Sequence, residues 1–440
     1  MDILGTLGGG LWYVVFFVIA LSIIVFIHEY GHYIVGRWCG IHAEVFSLGF
    51  GPVLFARRDR RGTQWQLAAI PFGGFVKFMG DADAASVRST GAEGLTAEER
   101  RHTMSGAPLW ARTLTVAAGP FANFILTAVV LAGMLVWSGI TIDPPTVSRL
   151  VPLPQQQALR EGDVILAVAG TPTPDAESLG AALRALPATA EVEFTLRRDG
   201  QQVTLGAPHP HPPLVGGVQP KSAAVAAGLR EGDLILSAGG RDLVTFSDLQ
   251  EVVFGSEGRP VPLTVWRGGE TFELTLTPRP RDIPAEGGGF RQEWLIGIYQ
   301  GTTFDLVSRA PTLGETLSLP LTRMWDMTAM TFSGLYHMVA GSISTCGMSG
   351  VVGIAQTMGD AAKTGAVDFI SMIALLSLGI GLLNLFPIPV LDGGHLVFYA
   401  YEAVTGRPPA DRVLQVLMSV GLVLLLSLMA FALLQDLTCP

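Results

Sequence analysis

The sequence predicts a polytopic α-helical membrane protein: about four spans, a β-rich segment on the cytoplasmic side, and two tandem α/β modules outside. Three observations carry that expectation. Of the 440 residues, 49% are hydrophobic and only 15% charged, the composition of an integral membrane protein with sizeable water-exposed parts. Four apolar runs, about 11–36, 111–138, 367–391 and 412–434, are long enough to cross a bilayer as helices. Between the second and third lies a long, more polar stretch with an internal repeat.

The first span is expected to stay in the mature protein. It has no basic leading segment, Asp2 is its only early charge, and no small-residue cleavage site interrupts it. Residues 37–110 follow and carry Arg37, Arg57, Arg58, Arg60, Arg61, Arg88, Arg100 and Arg101, with Arg112 just beyond. The positive-inside rule puts them in the cytoplasm, and Arg407 and Arg412 before the fourth span agree. Both termini and the long segment from about 139 to 366 then face outward. A net charge of −9 argues against a nucleic-acid partner. Cys39, Cys346 and Cys439 are scattered and odd in number, so they read as isolated thiols.

In the outer segment, Leu159-Arg160-Glu161-Gly162-Asp163-Val164-Ile165-Leu166 returns as Leu229-Arg230-Glu231-Gly232-Asp233-Leu234-Ile235-Leu236. Both copies run on into alternating strand patterns, which predicts two modules at about 142–207 and 213–279. The repeated element resembles the PDZ domain. That resemblance implies either peptide capture by strand addition or a steric filter with no ligand of its own. Residues 280–366 read as a linker, marked by Pro278, Pro280 and Gly287-Gly288-Gly289. Within that range lies an amphipathic, membrane-proximal segment at about 324–345, containing Asp326 and His337.

The chemistry-bearing motif is His28-Glu29-Tyr30-Gly31-His32, inside the first apolar run. Residues four apart share a helix face, so the two imidazoles can hold one zinc, with Glu29 as general base toward a water. Ionisable groups within a span are costly and mark function by default. Catalytic zinc takes a third protein ligand. The late stretch Asn384-Leu385-Phe386-Pro387-Ile388-Pro389-Val390-Leu391-Asp392-Gly393-Gly394-His395 breaks its helix at two prolines. Asp392 sits at that break, at a depth matching the histidines, and is the best candidate; His395 is a competitor of lower rank.

HEYGH in the first span and NLFPIPVLDGG in a late one together resemble the site-2 protease family of intramembrane zinc metalloproteases. So do Ser47–Pro52, Ile70–Lys77 and Ala118-Gly119-Pro120-Phe121-Ala122-Asn123. The resemblance covers nearly the whole chain. It implies zinc ligands His28, His32 and Asp392, and the catalytic base Glu29. It implies a role for Asn384 in binding the substrate backbone or the oxyanion, with a plain helix–helix hydrogen bond as the alternative. It implies that the β-segment is membrane-associated near the active site. There an edge through Gly73, Gly74 and Phe75 could hold an unwound substrate, or could be an ordinary structural hairpin. The implied substrates are single-pass membrane proteins already shortened by a first cut. Anti-sigma factors of envelope stress signalling lead, remnant signal peptides are a second class, and the setting is the bacterial inner membrane. Two rivals are a non-enzymatic peptide-binding scaffold, which intact Glu29 opposes, and a metal transporter, which would need a longer ladder of membrane His and Asp.

Overall fold

The computed structural model describes residues 3–80, 96–284 and 290–439; Arg88 and Gly287–Gly289 lie outside them. The chain forms two compact units. One comprises Met1–Gly133, Leu319–Phe332 and Met348–Cys439; the other, Met134–Ser318 and Ser333–Gly347. Among the described residues, four helices are long and apolar enough to cross a membrane, Gly10–Trp38, Leu109–Ser138, Ala366–Asn384 and Asp411–Thr438.

The first unit starts with α1 (Ile3–Trp38). β1 (Ala43–Arg58) and β2 (Gln64–Phe78) then fold into a bent antiparallel hairpin. Residues 43–48 pair on one side with 64–67 and on the other with 74–78, while 53–58 pair with 64–68. Residues 74–78 therefore form an outer arm, and no other strand among the described residues joins this sheet. The hairpin is anchored by Phe46, Val76 and Phe78, buried with Tyr33 of α1; Phe46 stacks on Trp65 at 4.4 Å. Its far end exposes Phe50, Leu54, Phe55, Ile70 and Phe72. A short α2 (Ala97–Arg101) leads to α3 (Leu109–Ser138). α1 and α3 approach closely because Gly31 has no side chain: a Cβ there would strike the Ala118 carbonyl.

The second unit holds two similar modules. The first contains β3 (Ile140–Thr141), β4 (Val147–Leu150), β5 (Val164–Val168), β6 (Thr171–Pro172), α4 (Ala176–Arg184), β7 (Glu191–Arg198) and β8 (Gln201–Pro208), with sheet order β6-β5-β7-β8. The second contains β9 (Val215–Val218), α5 (Ala223–Ala227), β10 (Leu234–Ala238), β11 (Arg241–Asp242), α6 (Phe246–Gly255), β12 (Val261–Arg267) and β13 (Glu270–Leu276), ordered β11-β10-β12-β13. The repeated Gly-Asp has the same task in each. Asp163 accepts from Arg198 Nε at 2.7 Å and from the Arg160 N–H at 2.8 Å; Asp233 accepts from Arg267 Nε at 2.5 Å and from the Arg230 N–H at 2.8 Å.

The expected linker over 280–366 is corrected. It carries a hairpin, β14 (Arg279–Pro284) with β15 (Phe290–Leu295), then β16 (Ile298–Gln300), β17 (Phe304–Leu306) and β18 (Ser308–Arg309). β16 pairs with β9, β17 with β4 and β18 with β3. Ile296 is buried in the second module's core and Phe304 in the first's. Each module is thus closed by a strand beyond the stretch in which its repeat is visible, and the second is nested within the first. These strands are two or three residues long, too short to register as a periodic pattern.

Past β18 come α7 (Leu313–Val339), α8 (Val351–Thr364), α9 (Ala366–Asn384), α10 (Asp392–Thr405) and α11 (Asp411–Thr438). Thr312 and Glu315 form a capping box at the start of α7. Within the first unit α8 packs on α1, where Tyr13 donates to Asp360 at 3.0 Å and Trp12 Nε1 to the Gly359 carbonyl at 2.9 Å. The reading of three isolated thiols is also corrected: Cys39 is free, whereas Cys346 and Cys439 are disulfide-bonded. Sequence spacing carries no information about thiols that folding places in bonds.

Burial alone would raise the Asp163 carboxyl, but the hydrogen bonds from Arg198 and the Arg160 N–H outweigh it and hold it below its ordinary value. Its stabilisation is therefore present above the unfolded carboxyl's pKa of about 3.9 and is lost as pH falls through the lower folded value. Asp163→Asn in the full chain is expected to cost about 3–5 kcal/mol at neutral pH, since it strips one partner from a buried pair. The variant should also lose part of the wild type's acid sensitivity. Urea unfolding followed by circular dichroism between pH 3 and 7 reads both effects.

Candidate metal centre

His28 and His32 lie one turn apart on α1 and face the start of α10. His28 Nε2 and His32 Nε2 are 3.2 Å apart, and Asp392 Oδ2 stands 3.2 Å from the first and 3.5 Å from the second. Among the described residues this is the one group of three or more His, Cys, Asp or Glu whose ligand atoms converge, all within 4.8 Å of one another. His32 Nδ1 lies 2.9 Å from the Thr115 carbonyl oxygen. A carbonyl only accepts, so Nδ1 carries the proton and the Nε2 lone pair faces the cluster. Asp392 Oδ2 is buried and accepts no well-formed hydrogen bond, although both imidazoles are near.

Two nitrogens and a carboxylate oxygen crowded in this way fit a cation. The donor set suits zinc with a fourth position open for water or substrate. Space for it depends on Gly119 of α3. A Cβ at that position would land on His32 Nε2 and come within 2.9 Å of His28 Cε1.

The third donor arrives by a break in the chain. α9 ends at Asn384, and Pro387 and Pro389 cannot continue it. Tight turns carry the backbone round, with the Leu391 N–H donating to Ile388 O at 2.9 Å and Gly394 N–H to Leu391 O at 3.0 Å. Asp392 then opens α10, where a carboxylate is favoured by the helix dipole. Gly393 and Gly394 pack directly on the backbone of 385–389, so a side chain at either would strike a carbonyl.

The three residues line a cavity of about 870 Å³ together with Glu29, Gly74, Phe75 and Asn384. His395 lines it as well. Gly74 lies against Glu29, its missing Cβ 3.2 Å from Glu29 Cγ, so the outer β-arm runs beside the expected base. Gly73 is not among the lining residues; it takes a positive φ of 124° and packs on the ring of Phe50. Asn384 Nδ2 donates to Ile380 O of its own helix at 3.0 Å, not to a neighbouring helix. Sequence reasoning assigned nothing to Asn123, Thr115 or Gly119, all on α3. A polar Asn in an apolar run was the signal for the first; the other two become visible only when α3 is packed on α1.

Peptidase family M50 matches residues 16–428. The chain belongs to that family. A candidate zinc metalloprotease of Agrobacterium fabrum is 35% identical over 97% of this chain and 96% of its own length. A second, from Rhizobium meliloti, is 34% identical over 94% of each. The regulator of sigma-E protease RseP of Salmonella typhimurium is 31% identical over 97% of this chain and 98% of its own. The protein is thus a zinc-dependent metalloprotease of the site-2 type, with apolar helices able to cross a membrane.

Gly119→Ala is expected to lower zinc content of the purified chain to less than a tenth of wild type, because the methyl occupies the space beside the His28 and His32 rings. Elemental analysis after dialysis against a metal-free buffer checks this. Gly133→Ala, where a Cβ would meet nothing within 4 Å, is the control and should keep its metal.

Proposed function

We propose that this chain is an inner-membrane protease that cuts the transmembrane segments of single-pass membrane proteins already trimmed by another enzyme. His28, His32 and Asp392 hold the zinc, and Glu29 is the catalytic base. The observation that carries this reading is the convergence of those three donors in a cavity between apolar helices, with Glu29 on the same wall. Zinc held there supplies Lewis acidity to a water and to the scissile carbonyl.

The remaining steps belong to the chain. Glu29 removes a proton from the attacking water as its oxygen bonds to the carbonyl carbon, and delivers a proton to the amine as the C–N bond breaks. Asn384 has a side-chain oxygen and a second amide N–H beyond the one given to Ile380, and it holds the substrate backbone or the developing oxyanion. Among the described residues, the arm at 74–78 pairs with other strand residues on one side only. A helical substrate buries its scissile carbonyl in its own hydrogen bonds, so it must be drawn out, and an unpaired strand edge can hold it extended. The exposed apolar end of the hairpin suits contact with lipid.

The two outer modules are PDZ-like and lie in the periplasm, in this reading, with the active site near the cytoplasmic side. They exclude bulky, uncut substrates. The sigma-E regulatory role named for the Salmonella relative favours an anti-sigma factor of envelope stress signalling as substrate, with remnant signal peptides as a second class.

Glu29→Gln should reduce cleavage of a tagged single-pass reporter by at least about 10²-fold, the typical contribution of a positioned base. Its zinc content should stay near wild type, and a chelator should abolish wild-type cutting. Equal cutting by both proteins would remove Glu29 from the role. For the filter, residues 143–306 are replaced by a short linker that keeps the β3–β18 pairing; a cut at 279 would strand the closing strands of both modules. Cutting of the uncut substrate by this variant is the expected result. Total loss of activity in a folded, zinc-loaded variant would assign the modules to recruitment.

A further inference from the structure

Asn123 stands where three helices meet. It is fully buried on α3. Its backbone oxygen accepts from Ser377 Oγ of α9 at 3.0 Å and lies 3.0 Å from the Thr127 hydroxyl, which is equally close to the Ala374 carbonyl of α9. Its side chain points toward α1. Nδ2 lies 3.3 Å from His28 Nδ1, while Oδ1 is buried with no hydrogen-bond partner among the described residues. A buried carbonyl oxygen left unpaired in a native fold calls for a reason.

The chemistry of imidazole supplies one. A neutral imidazole carries a single proton. With that proton on Nε2, His28 directs it at the cluster, where the His32 Nε2 lone pair lies 3.2 Å away, and Nδ1 accepts from the Asn123 amide nitrogen at 3.3 Å. A cation bound at Nε2 needs the lone pair there, which moves the proton to Nδ1. An amide nitrogen opposite Nδ1 would then set donor against donor. The oxygen and nitrogen of a carboxamide have nearly the same shape, so the surrounding bonds decide which way it points. Turned over, Oδ1 accepts the Nδ1–H. His32 already has its counterpart in the Thr115 carbonyl; for His28 the acceptor on offer is Asn123.

We propose that Asn123 is a positioning residue of the metal centre. Its side-chain oxygen accepts the His28 Nδ1–H and so presents the Nε2 lone pair to zinc. This inference rests on the reading of His28, His32 and Asp392 as the ligands. The tie from Ser377 to the Asn123 backbone makes α9 part of the same support, so the helix that leads to Asp392 also steadies the group that orients His28. Outer partners of ligating histidines set both tautomer and ring orientation, and losing one lowers metal affinity by about 10–100-fold.

The test is zinc affinity, measured on the full-length chain in detergent with chelator-buffered free zinc and elemental analysis. Asn123→Leu fills the site but cannot accept, and should bind zinc about 10–100-fold more weakly. Asn123→Asp accepts without burying an amide N–H, and should bind at least as tightly as wild type. Labelled-histidine NMR of the zinc-loaded wild type should place the His28 proton on Nδ1. Wild-type affinity in Asn123→Leu would overturn the proposal, as would equal losses in the Leu and Asp variants, which would make Asn123 a packing residue only. His32→Ala separates this from the underlying reading. If it loses zinc while Asn123→Leu keeps it, only the positioning role fails; if it keeps zinc, the ligand assignment itself fails. Should Asn123→Leu not fold, the Asp variant decides, since a purely packing role predicts that a buried charge there would weaken the site.

Discussion

The first unit depends on one constraint: three lone-pair atoms, on side chains from near both ends of the chain, must meet where little water can separate them. Two imidazole nitrogens and a carboxylate oxygen within 3.5 Å of one another repel unless a proton or a cation lies between them. The surrounding structure must therefore force the approach. α1 and α3 do so by close contact at Gly31 and Gly119, each of which would clash if it bore a methyl. Glycine within a helix costs about 0.5–1 kcal/mol relative to alanine. The packing it permits leaves the two imidazole rings against α3, where the Thr115 carbonyl fixes that of His32.

The approach of the carboxylate is a separate problem with a different solution. A continuous helix through 384–395 would leave its backbone fully bonded and would not turn Asp392 toward α1. Two prolines stop α9, and the turn re-bonds part of the released backbone, the Ile388 N–H donating to Phe386 O at 2.7 Å and the Leu391 N–H to Ile388 O at 2.9 Å. Gly393 and Gly394 let α10 fold back onto that turn. Its far end is held by a bidentate pair, Glu402 accepting from Arg112 of α3 at 2.6 and 3.1 Å. α3 thus supports both sides of the site, the histidines through its glycine and carbonyl, and α10 through its arginine.

Helical spacing is the feature of this site that the sequence displays most directly. His28 and His32 announce a shared face by being four apart, and the two prolines announce a break. Asp392 stands out in the sequence as the best candidate third ligand, at the break made by the two prolines, with His395 three residues on as its competitor. Asn123 and Gly119 were in plain view within a family-like motif, yet nothing local says what an Asn or a missing side chain faces; that depends on the pairing of α1 with α3. The second unit teaches the same lesson at larger scale. The repeat reveals the parts of each module that lie together in sequence. The closing strands β16 and β17 are three residues each and are recognisable only by their partners, β9 and β4. Cys346 and Cys439, read as isolated, likewise belong to bonds that sequence distance conceals.

In the proposed reading, the β-hairpin supplies what a bundle of apolar helices lacks for proteolysis. Hydrolysis needs an extended peptide with its carbonyl exposed, whereas a membrane segment is stable as a helix because that carbonyl is bonded. Unwinding even a few residues in an apolar setting leaves several N–H and C=O groups unpaired, at several kcal/mol each. A strand edge offers replacement bonds in the geometry that the reaction requires. The arm at 74–78 has one edge bonded to 43–48, no strand among the described residues pairs along the other, and its glycine lies against Glu29. In the proposed reading the same backbone that compensates the substrate for its lost helix delivers the exposed bond beside the base. The energy for unwinding then comes from pairing at the site where the bond is cut.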